Sequence, residues 1–195
     1  LGIVIKESER LTRLINQVLD LAKIEAGRFD WQIGDVDVKE IINDAVAATS
    51  QLFRDRAVSV AVKMPENMPS VRSDRDQLMQ VAVNLLSNAV KFSESGRGRV
   101  EVGVAFQDSE IAISVKDNGP GIAPEYQKAI FEKFHQVGDT MMAKPSGSGL
   151  GLTICQRIVE HLGGRIWVDS RLGEGATFTF TVPVEALAES ARAVA

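Results

Sequence analysis

One predicted helix constrains this chain more than any other segment. Residues 73–93 read SDRDQLMQVAVNLLSNAVKFS, and Asp74 is placed to cap the helix N-terminus. Apolar residues recur at helical spacing along it, and they are Leu78, Val81, Ala82, Leu85, Leu86 and Ala89. Such a stripe predicts a helix that is buried on one side within a globular core.

The same helix carries polar residues beside that stripe. At about 100° per residue, Asn84, Asn88 and Lys91 share one face at the edge of the apolar stripe. An amide oxygen is a neutral hard ligand suited to magnesium, and a lysine ammonium is a point charge suited to phosphate. Taken by itself, the helix also allows a second interpretation, in which both asparagines only hydrogen-bond to neighbouring loops.

Strands and helices alternate through the rest of the chain from Phe29 onward. The patterns predict further helices over 36–56 and 149–164, with a loop-rich stretch over 118–148. Predicted strands cover 58–64, 99–106, 110–117, 165–170 and 176–182. The order is typical of an α/β domain.

The opening segment, residues 1–27, predicts a separate helix that ends at Gly27. Val4, Leu11 and Val18 fall seven residues apart, and Leu14 and Leu21 fill the second apolar position of a heptad. A lone helix has little core of its own, so this stripe is expected to pack on a partner helix. The alternative is that it folds back on its own globular domain.

Charge and cysteine content exclude several classes of protein. The 22 Lys and Arg against 26 Asp and Glu give a net charge of -4 without a block of like charge, so nucleic acid is not an expected partner. The single Cys155 excludes an internal disulfide or cysteine zinc cluster, and it is predicted to pack inside a helix. No run approaches the roughly 18 apolar residues of a membrane span.

Three glycine-containing motifs follow the asparagine helix. In DNGPGI, Asp117 ends a strand and can accept a hydrogen bond from an exocyclic amine, while Gly119 and Gly121 allow the backbone to approach a flat ligand. GSGLGL, at 147–152, opens a helix whose free N–H groups favour an anion. GEGATF, at 173–178, places two glycines in a hairpin turn. Each motif is weak alone.

In this order, with FEKF at 131–134 between the second and third motifs, the set resembles the ATP-binding domain of sensor histidine kinases. That domain belongs to a wider ATPase group with gyrase, mismatch-repair and heat-shock chaperone ATPases. The resemblance covers about residues 36–183. It implies an α/β fold, a two-layer sandwich of a mixed sheet with helices on one face, preceded by a helical arm. The implied domains are 1–28, 29–185 and a tail, 186–195.

The resemblance implies ATP and magnesium as ligands and gives each motif a role. Asn88 would coordinate magnesium with help from Asn84, Lys91 would reach the phosphates, and Asp117 would receive the adenine amine. Residues 135–148 would form a lid rooted at Phe131 and Phe134. The remaining implied nucleotide-binding residues are Gly119, Gly121, Ile122 and Thr177 around adenine and Gly147, Gly149, Leu150, Gly151 and Leu152 around the phosphates.

The opening helix resembles the second helix of the family's dimerisation and phosphotransfer hairpin. Neither His135 nor His161 stands in the setting of the family's phosphoryl acceptor, so the chain is expected to be a fragment that lacks the acceptor histidine. The resemblance then implies a protein-histidine kinase, a response regulator as partner, a homodimer through the helical arm and a cytoplasmic domain. Membrane anchoring of the parent protein stays open.

Two alternatives to a kinase are carried forward. A degenerate kinase would bind nucleotide and regulate a partner protein through its helical arm. A stand-alone ATP hydrolase of the wider group would carry a glutamate four residues before the magnesium asparagine, where this chain has Asn84. Gln136 occupies a position where many relatives place a phosphate-contacting arginine, which puts that one contact in doubt.

Overall fold

The computed structural model describes residues 2–135 and 148–184 and, within residues 2–13, only the side chains of Ser8, Leu11 and Thr12. Its helices are α1 (Gly2–Glu25), α2 (Val38–Asp55), α3 (Arg75–Phe92) and α4 (Gly151–His161). Its strands are β1 (Ile33–Val36), β2 (Ser59–Lys63), β3 (Val71–Asp74), β4 (Arg99–Gln107), β5 (Glu110–Asp117), β6 (Ile166–Ser170) and β7 (Ala176–Pro183).

The main sheet has five strands in the order β2-β4-β5-β7-β6. β2 runs parallel to β4, and the other neighbouring strands are antiparallel, so the sheet is mixed as the resemblance implied. Alternate residues of β4 and β5 are buried, among them Val102 and Ile113. Because successive side chains of a strand point to opposite faces, this alternation covers one face of the sheet.

Helix α3 lies at the centre of the covering layer, between α2 and α4 and against the sheet. Every member of its predicted apolar stripe is at most 4% exposed, which confirms that prediction. Asp74 caps the helix as expected, because its Oδ1 accepts the Gln77 N–H at 3.1 Å. The edge of α3 is thereby held at a fixed place between the sheet and α4.

A small second sheet was not predicted from the sequence. β1 pairs antiparallel with β3, and Asp74 Oδ2 also accepts the Gln32 N–H at 2.8 Å just before β1. Both strands have four residues, too few for a convincing period-two pattern. Their role is local, since they fix the start of α3.

Among the described side chains of helix α1, the buried one lies in its C-terminal part. Leu21 is 5% exposed where α1 packs on α4, whereas Leu11, Ile15 and Val18 are 57%, 58% and 47% exposed. The C-terminal part of α1 therefore folds back on the globular domain, as the alternative interpretation of this helix predicted. No described residue of the chain covers Leu11, Ile15 or Val18. The predicted stop is confirmed, because Gly27 takes a left-handed φ of 64°.

A membrane span was also sought in the described part of the chain. None of the helices there combines the length and the apolar character needed to cross a bilayer.

Candidate functional site

The polar edge of α3 has the environment that the sequence predicts. Asn84, Asn88 and Lys91 are each half-buried, between the buried stripe and the surface. The Lys91 Nζ lies 4.6 Å from the centroid of the Phe92 ring, and partial burial lowers the pKa of the ammonium below its usual value. Asn88 has no side-chain hydrogen bond to any residue that the structure describes.

Asn84 faces the beginning of α4. A Cβ added to Gly151 would lie 3.8 Å from Asn84 Oδ1, so the amide oxygen is directed at the first residue of that helix. On its other side, Asn84 Nδ2 donates to Cys155 Sγ at 3.6 Å. The predicted metal residue and the predicted phosphate loop are therefore neighbours in the fold.

The GSGLGL segment forms an entry to α4 with free donors. Gly149 takes a φ of 69°, and its carbonyl oxygen accepts the Phe134 N–H at 3.1 Å. Leu150 is buried and its N–H donates to Ser148 Oγ at 3.2 Å. The first N–H groups of a helix have no intrahelical acceptor, and those of Gly151 and Leu152 have no acceptor among the described residues, a setting that favours an anion. Gly147 and the predicted lid, apart from His135 and Ser148, lie outside the described residues.

Asp117 lies at the end of β5 and is only 5% exposed. Its Oδ1 accepts the Gly119 N–H at 2.8 Å, and the Ala176 N–H also donates to the carboxylate. Burial raises the pKa of Asp117 above its usual value, and these two N–H groups oppose the rise without cancelling it. The carboxylate is thus held in one orientation by backbone donors on two sides.

The glycines around Asp117 are required by close backbone contacts. A Cβ on Gly119 would lie 2.7 Å from the Phe92 carbonyl oxygen, at the end of α3. Gly175 has a φ of 84°, and a Cβ there would collide with the Asp117 carbonyl oxygen. Gly121 is packed in the same way against the Arg171 carbonyl. The DNGPGI and GEGATF motifs are therefore interlocked through their main chains.

Thr177 is not brought to Asp117. It pairs with the exposed Lys116, while the buried Phe178 pairs with the buried Val115. Thr177 therefore lies on the face of the sheet opposite to the helices, whereas Asp117 lies on the helix side. The predicted pocket contact of Thr177 is not found in this geometry, because Ala176 occupies the position beside the carboxylate.

The sequence analysis did not identify two residues whose hydrogen bonds hold the DNGPGI loop in place. The Asn118 side chain accepts the Arg99 N–H at 2.7 Å and donates to the Arg97 carbonyl at 3.1 Å. Gln127 Nε2 donates to the Ile122 carbonyl at 3.0 Å and to the Ser170 carbonyl at 2.8 Å. Asn118 carried a usable signal, since an Asn after a strand and before Gly often bonds to backbone. Gln127 carried none.

The predicted lid root and the two histidines have different surroundings. Phe131 packs edge-on against Phe178 with ring centroids 6.5 Å apart, whereas the Phe134 side chain is 68% exposed. His161 stacks on Trp31 with ring centroids 3.9 Å apart. His135 Nε2 is buried and has no hydrogen-bond partner among the described residues.

The donor set fits magnesium held together with phosphate. Within the described residues, no group of three His, Cys, Asp or Glu side chains could hold a metal alone. Magnesium commonly uses one or two protein ligands and completes its octahedron with phosphate oxygens and water. The available oxygen of Asn88 and the directed oxygen of Asn84 match that requirement.

Comparison with known proteins agrees with this geometry. Residues 73–186 match the family model described as histidine kinase-, DNA gyrase B-, and HSP90-like ATPase. The chain belongs to this family. The match begins at the N-cap region of α3 and runs through β7, so it contains all four motifs of the site.

Named relatives of the chain are sensor kinases. The chain is 35% identical over 188 residues to an adaptive-response sensory kinase, SasA, of Prochlorococcus marinus, covering 93% of this chain and 49% of the relative. It is 36% identical to the sensor histidine kinase AruS of Pseudomonas aeruginosa, covering 89% of this chain and 18% of the relative. The chain thus spans half or less of the length of these two relatives.

A solved structure supports the fold over nearly the whole chain. Full-length ShkA in complex with AMPPNP superposes with a TM-score of 0.81 and 31% identity, covering 91% of this chain and 36% of that one. The domain is accordingly the ATP-binding catalytic domain of the histidine kinase type, as the resemblance implied.

Proposed function

We propose that this domain binds magnesium-ATP and donates the γ-phosphate to a histidine outside these 195 residues, for relay to a response-regulator aspartate. One observation carries the proposal, which is that α3 adjoins both parts of the site. Asn84 Oδ1 faces Gly151 at the start of α4, and the Phe92 carbonyl faces Gly119 beside Asp117. These two points are about 12 Å apart along the helix axis, so one nucleotide can contact both.

In this proposal each end of the site binds a different part of ATP. The oriented carboxylate of Asp117 accepts a hydrogen bond from the adenine amine, and the Gly119 and Gly121 backbone lies beside the base. Lys91 and the free N–H groups at the start of α4 bind the phosphates. Asn88 and Asn84 would hold magnesium, which when bound neutralises charge on the phosphate oxygens.

The acceptor is an imidazole nitrogen of another segment or chain. The bond between the γ-phosphorus and the bridging oxygen breaks, ADP leaves, and a phosphorus–nitrogen bond forms while the imidazole proton passes to water. The stacking of His161 on Trp31 and the buried Nε2 of His135 favour an acceptor other than these two. Productive transfer then requires the acceptor within roughly 3 to 3.5 Å of the phosphorus.

The exposed apolar residues of α1 favour a partner helix that packs on the helical arm. Leu11, Ile15 and Val18 are apolar and about half exposed, which is the expected state of a heptad stripe without its partner helix. We assign them to pairing with a second hairpin in a homodimer of the parent protein. The domain itself would act in the cytoplasm, whether or not the parent is membrane-anchored.

An ATP hydrolase is the second candidate, because the family includes ATPases. Asn84 occupies the position expected for the water-activating glutamate, and its amide donates to a thiol instead. An amide has no basic carboxylate, so steady hydrolysis is expected to be slow. Rapid phosphate release by the unmodified chain would favour the hydrolase.

The decisive test is phosphoryl transfer in trans. The chain would be incubated with γ-labelled ATP and a separate protein that carries a complete hairpin with its histidine but a disabled ATP site. Weak acid-labile label on the hairpin is expected, and it should vanish with Asn88→Ala. If well-folded, ATP-binding chain gives no label while an active relative labels its matched hairpin, the regulatory alternative replaces the kinase.

A further inference from the structure

We propose that Cys155 is a positioning residue for Asn84, holding the amide so that its oxygen faces the phosphate loop. The inference rests on the proposed function, in which Asn84 assists magnesium binding. The sequence predicts only a packing role for Cys155. The inference comes instead from the contact between α3 and α4.

The contact between the two side chains is enclosed by the core. Cys155 is 0% exposed, on the side of α4 that packs against α3. Asn84 is half-buried, and its Nδ2 donates to Cys155 Sγ at 3.6 Å. The inner end of the amide therefore meets sulfur rather than water.

An asparagine amide has two chemically different ends, and this contact decides which end faces outward. With Nδ2 turned toward the thiol, Oδ1 lies toward Gly151, where an added Cβ would be 3.8 Å away. The reverse orientation would present two N–H donors toward the start of α4, and these donors cannot bind a cation. The orientation with Nδ2 on the thiol is therefore the one that suits magnesium.

The thiol can keep this role at ordinary pH. Burial raises the pKa of Cys155 to about 12, so the sulfur stays a neutral thiol. A neutral sulfur accepts the Asn84 Nδ2–H weakly and adds no charge near the phosphates. Its burial also keeps the sulfur away from solvent oxidants.

Two substitutions of Cys155 separate its role as a hydrogen-bond acceptor from its role in core packing. Cys155→Val removes the acceptor and keeps apolar bulk, with Cys155→Ala in reserve if the valine variant does not fold. Cys155→Ser keeps an acceptor for the amide. Val159→Ala is the matched control, because Val159 is equally buried on α4 but its Cγ1 lies near Gly164, away from Asn84.

The first readout is the increase in ATP affinity that magnesium produces, measured by calorimetry with and without the ion. Cys155→Val should reduce this increase about threefold to tenfold and leave magnesium-free affinity unchanged, as expected for loss of one weak orienting hydrogen bond. Cys155→Ser and Val159→Ala should keep it. With Asn84→Ala already present, Cys155→Val should cause no further loss.

The second readout needs neither metal nor nucleotide. The Asn84 side-chain N–H2 signals in an NMR spectrum, assigned by their absence in Asn84→Ala, should shift in Cys155→Val and return in Cys155→Ser. If Asn84→Ala weakens the magnesium effect but Cys155→Val does not, the positioning role is wrong and the proposed function stands. If neither substitution changes it, the metal role of Asn84 falls together with this inference.

Discussion

The site has two ends, one around Asp117 and one where α3 meets α4. At the Asp117 end, main-chain atoms pack directly against main-chain atoms, whereas at the α3–α4 end polar side chains face outward. Gly119 and Gly175 leave no room for a Cβ, and two N–H groups already hold the Asp117 carboxylate. By contrast, Asn88 has no partner among the described side chains and main chain, and a Cβ on Gly151 would meet only ordinary contact distances.

The difference indicates how each end recognises its ligand. A rigid carboxylate between two interlocked loops suits a base, whose shape does not change during the reaction. Free amides and helix N–H groups suit phosphates and a metal ion, whose positions change as the γ-phosphate leaves. Substitutions of Gly119 and Gly175 should therefore affect folding and binding together, whereas substitution of Asn88 should affect binding alone.

The largest expected effect comes from adding a methyl group to Gly175. Gly175→Ala places a Cβ against the Asp117 carbonyl and forces alanine to a φ of 84°. We expect a loss of more than about 3 kcal/mol in the free energy of unfolding, together with loss of ATP binding. Urea unfolding and calorimetry measure the two quantities.

Gly173→Ala is the matched control in the same turn. Gly173 has nearly the same φ, 85°, but an added Cβ would find no atom within 4 Å. Only the cost of the left-handed backbone should remain, about 1–2 kcal/mol, with ATP binding kept. Equal losses in both variants would contradict the interlocked-loop account of the Asp117 end.

The next effect concerns affinity for the base. Asp117→Ala should weaken ATP binding roughly 10- to 100-fold, the range for loss of a hydrogen bond to a charged group. The loss should be equal with and without magnesium, because the carboxylate is assigned to adenine rather than to the metal. GTP, which lacks the exocyclic amine at that position, should bind weakly to the unmodified chain. A loss confined to magnesium-containing buffer would overturn the assignment.

A smaller and conditional effect is expected at the α3–α4 end. Asn88→Ala should lower ATP affinity about tenfold in magnesium and change it little without the ion, since only the metal-dependent contact is removed. Stability should hardly change, because the amide makes no hydrogen bond to the rest of the described chain. Ser87→Ala, on the neighbouring half-buried position of α3, serves as control. Equal loss under both conditions would remove the metal role of Asn88.

The sequence was sufficient for the main sheet, the four helices and the order of the motifs. Apolar periodicity identified α3 and its buried stripe because the stripe spans several turns, for example from Leu78 to Ala89. It missed β1 and β3 because four residues carry too little period-two signal. The cover of Leu21 by α4 depends on tertiary packing that no local pattern encodes.

Within the site, motif residues were easier to predict than the geometry between them. The structure brings Asn84 next to Gly151 and buries Asp117 at the end of β5, but strand pleating places Thr177 on the opposite face of the sheet. The residue beside the carboxylate is Ala176, which acts through its backbone N–H and so leaves no side-chain signal. Backbone donors and buried neighbours such as Cys155 become visible only in three dimensions.

The smallest expected effect is a gain in stability at the Asp117 end. Because burial raises the pKa of Asp117, the native state binds more protons than the unfolded chain between the usual and the raised pKa. The free energy of unfolding therefore falls as pH rises through that window, and the cost is complete above it. Asp117→Asn removes this cost, so the variant should be slightly more stable than the unmodified chain at neutral pH.

The test is urea unfolding of both proteins between about pH 4 and 7, where carboxyl groups with raised pKa values titrate. The stability of the unmodified chain relative to Asp117→Asn should decline as pH rises. Asp108→Asn, which removes a negative charge from the exposed turn between β4 and β5, serves as the control for the loss of one charge. A difference that stays constant or grows with pH would contradict a carboxylate destabilised by burial. If this decline in relative stability is found, and Asp117→Asn also binds ATP weakly, then the carboxylate charge lowers folding stability but is needed to bind the adenine base.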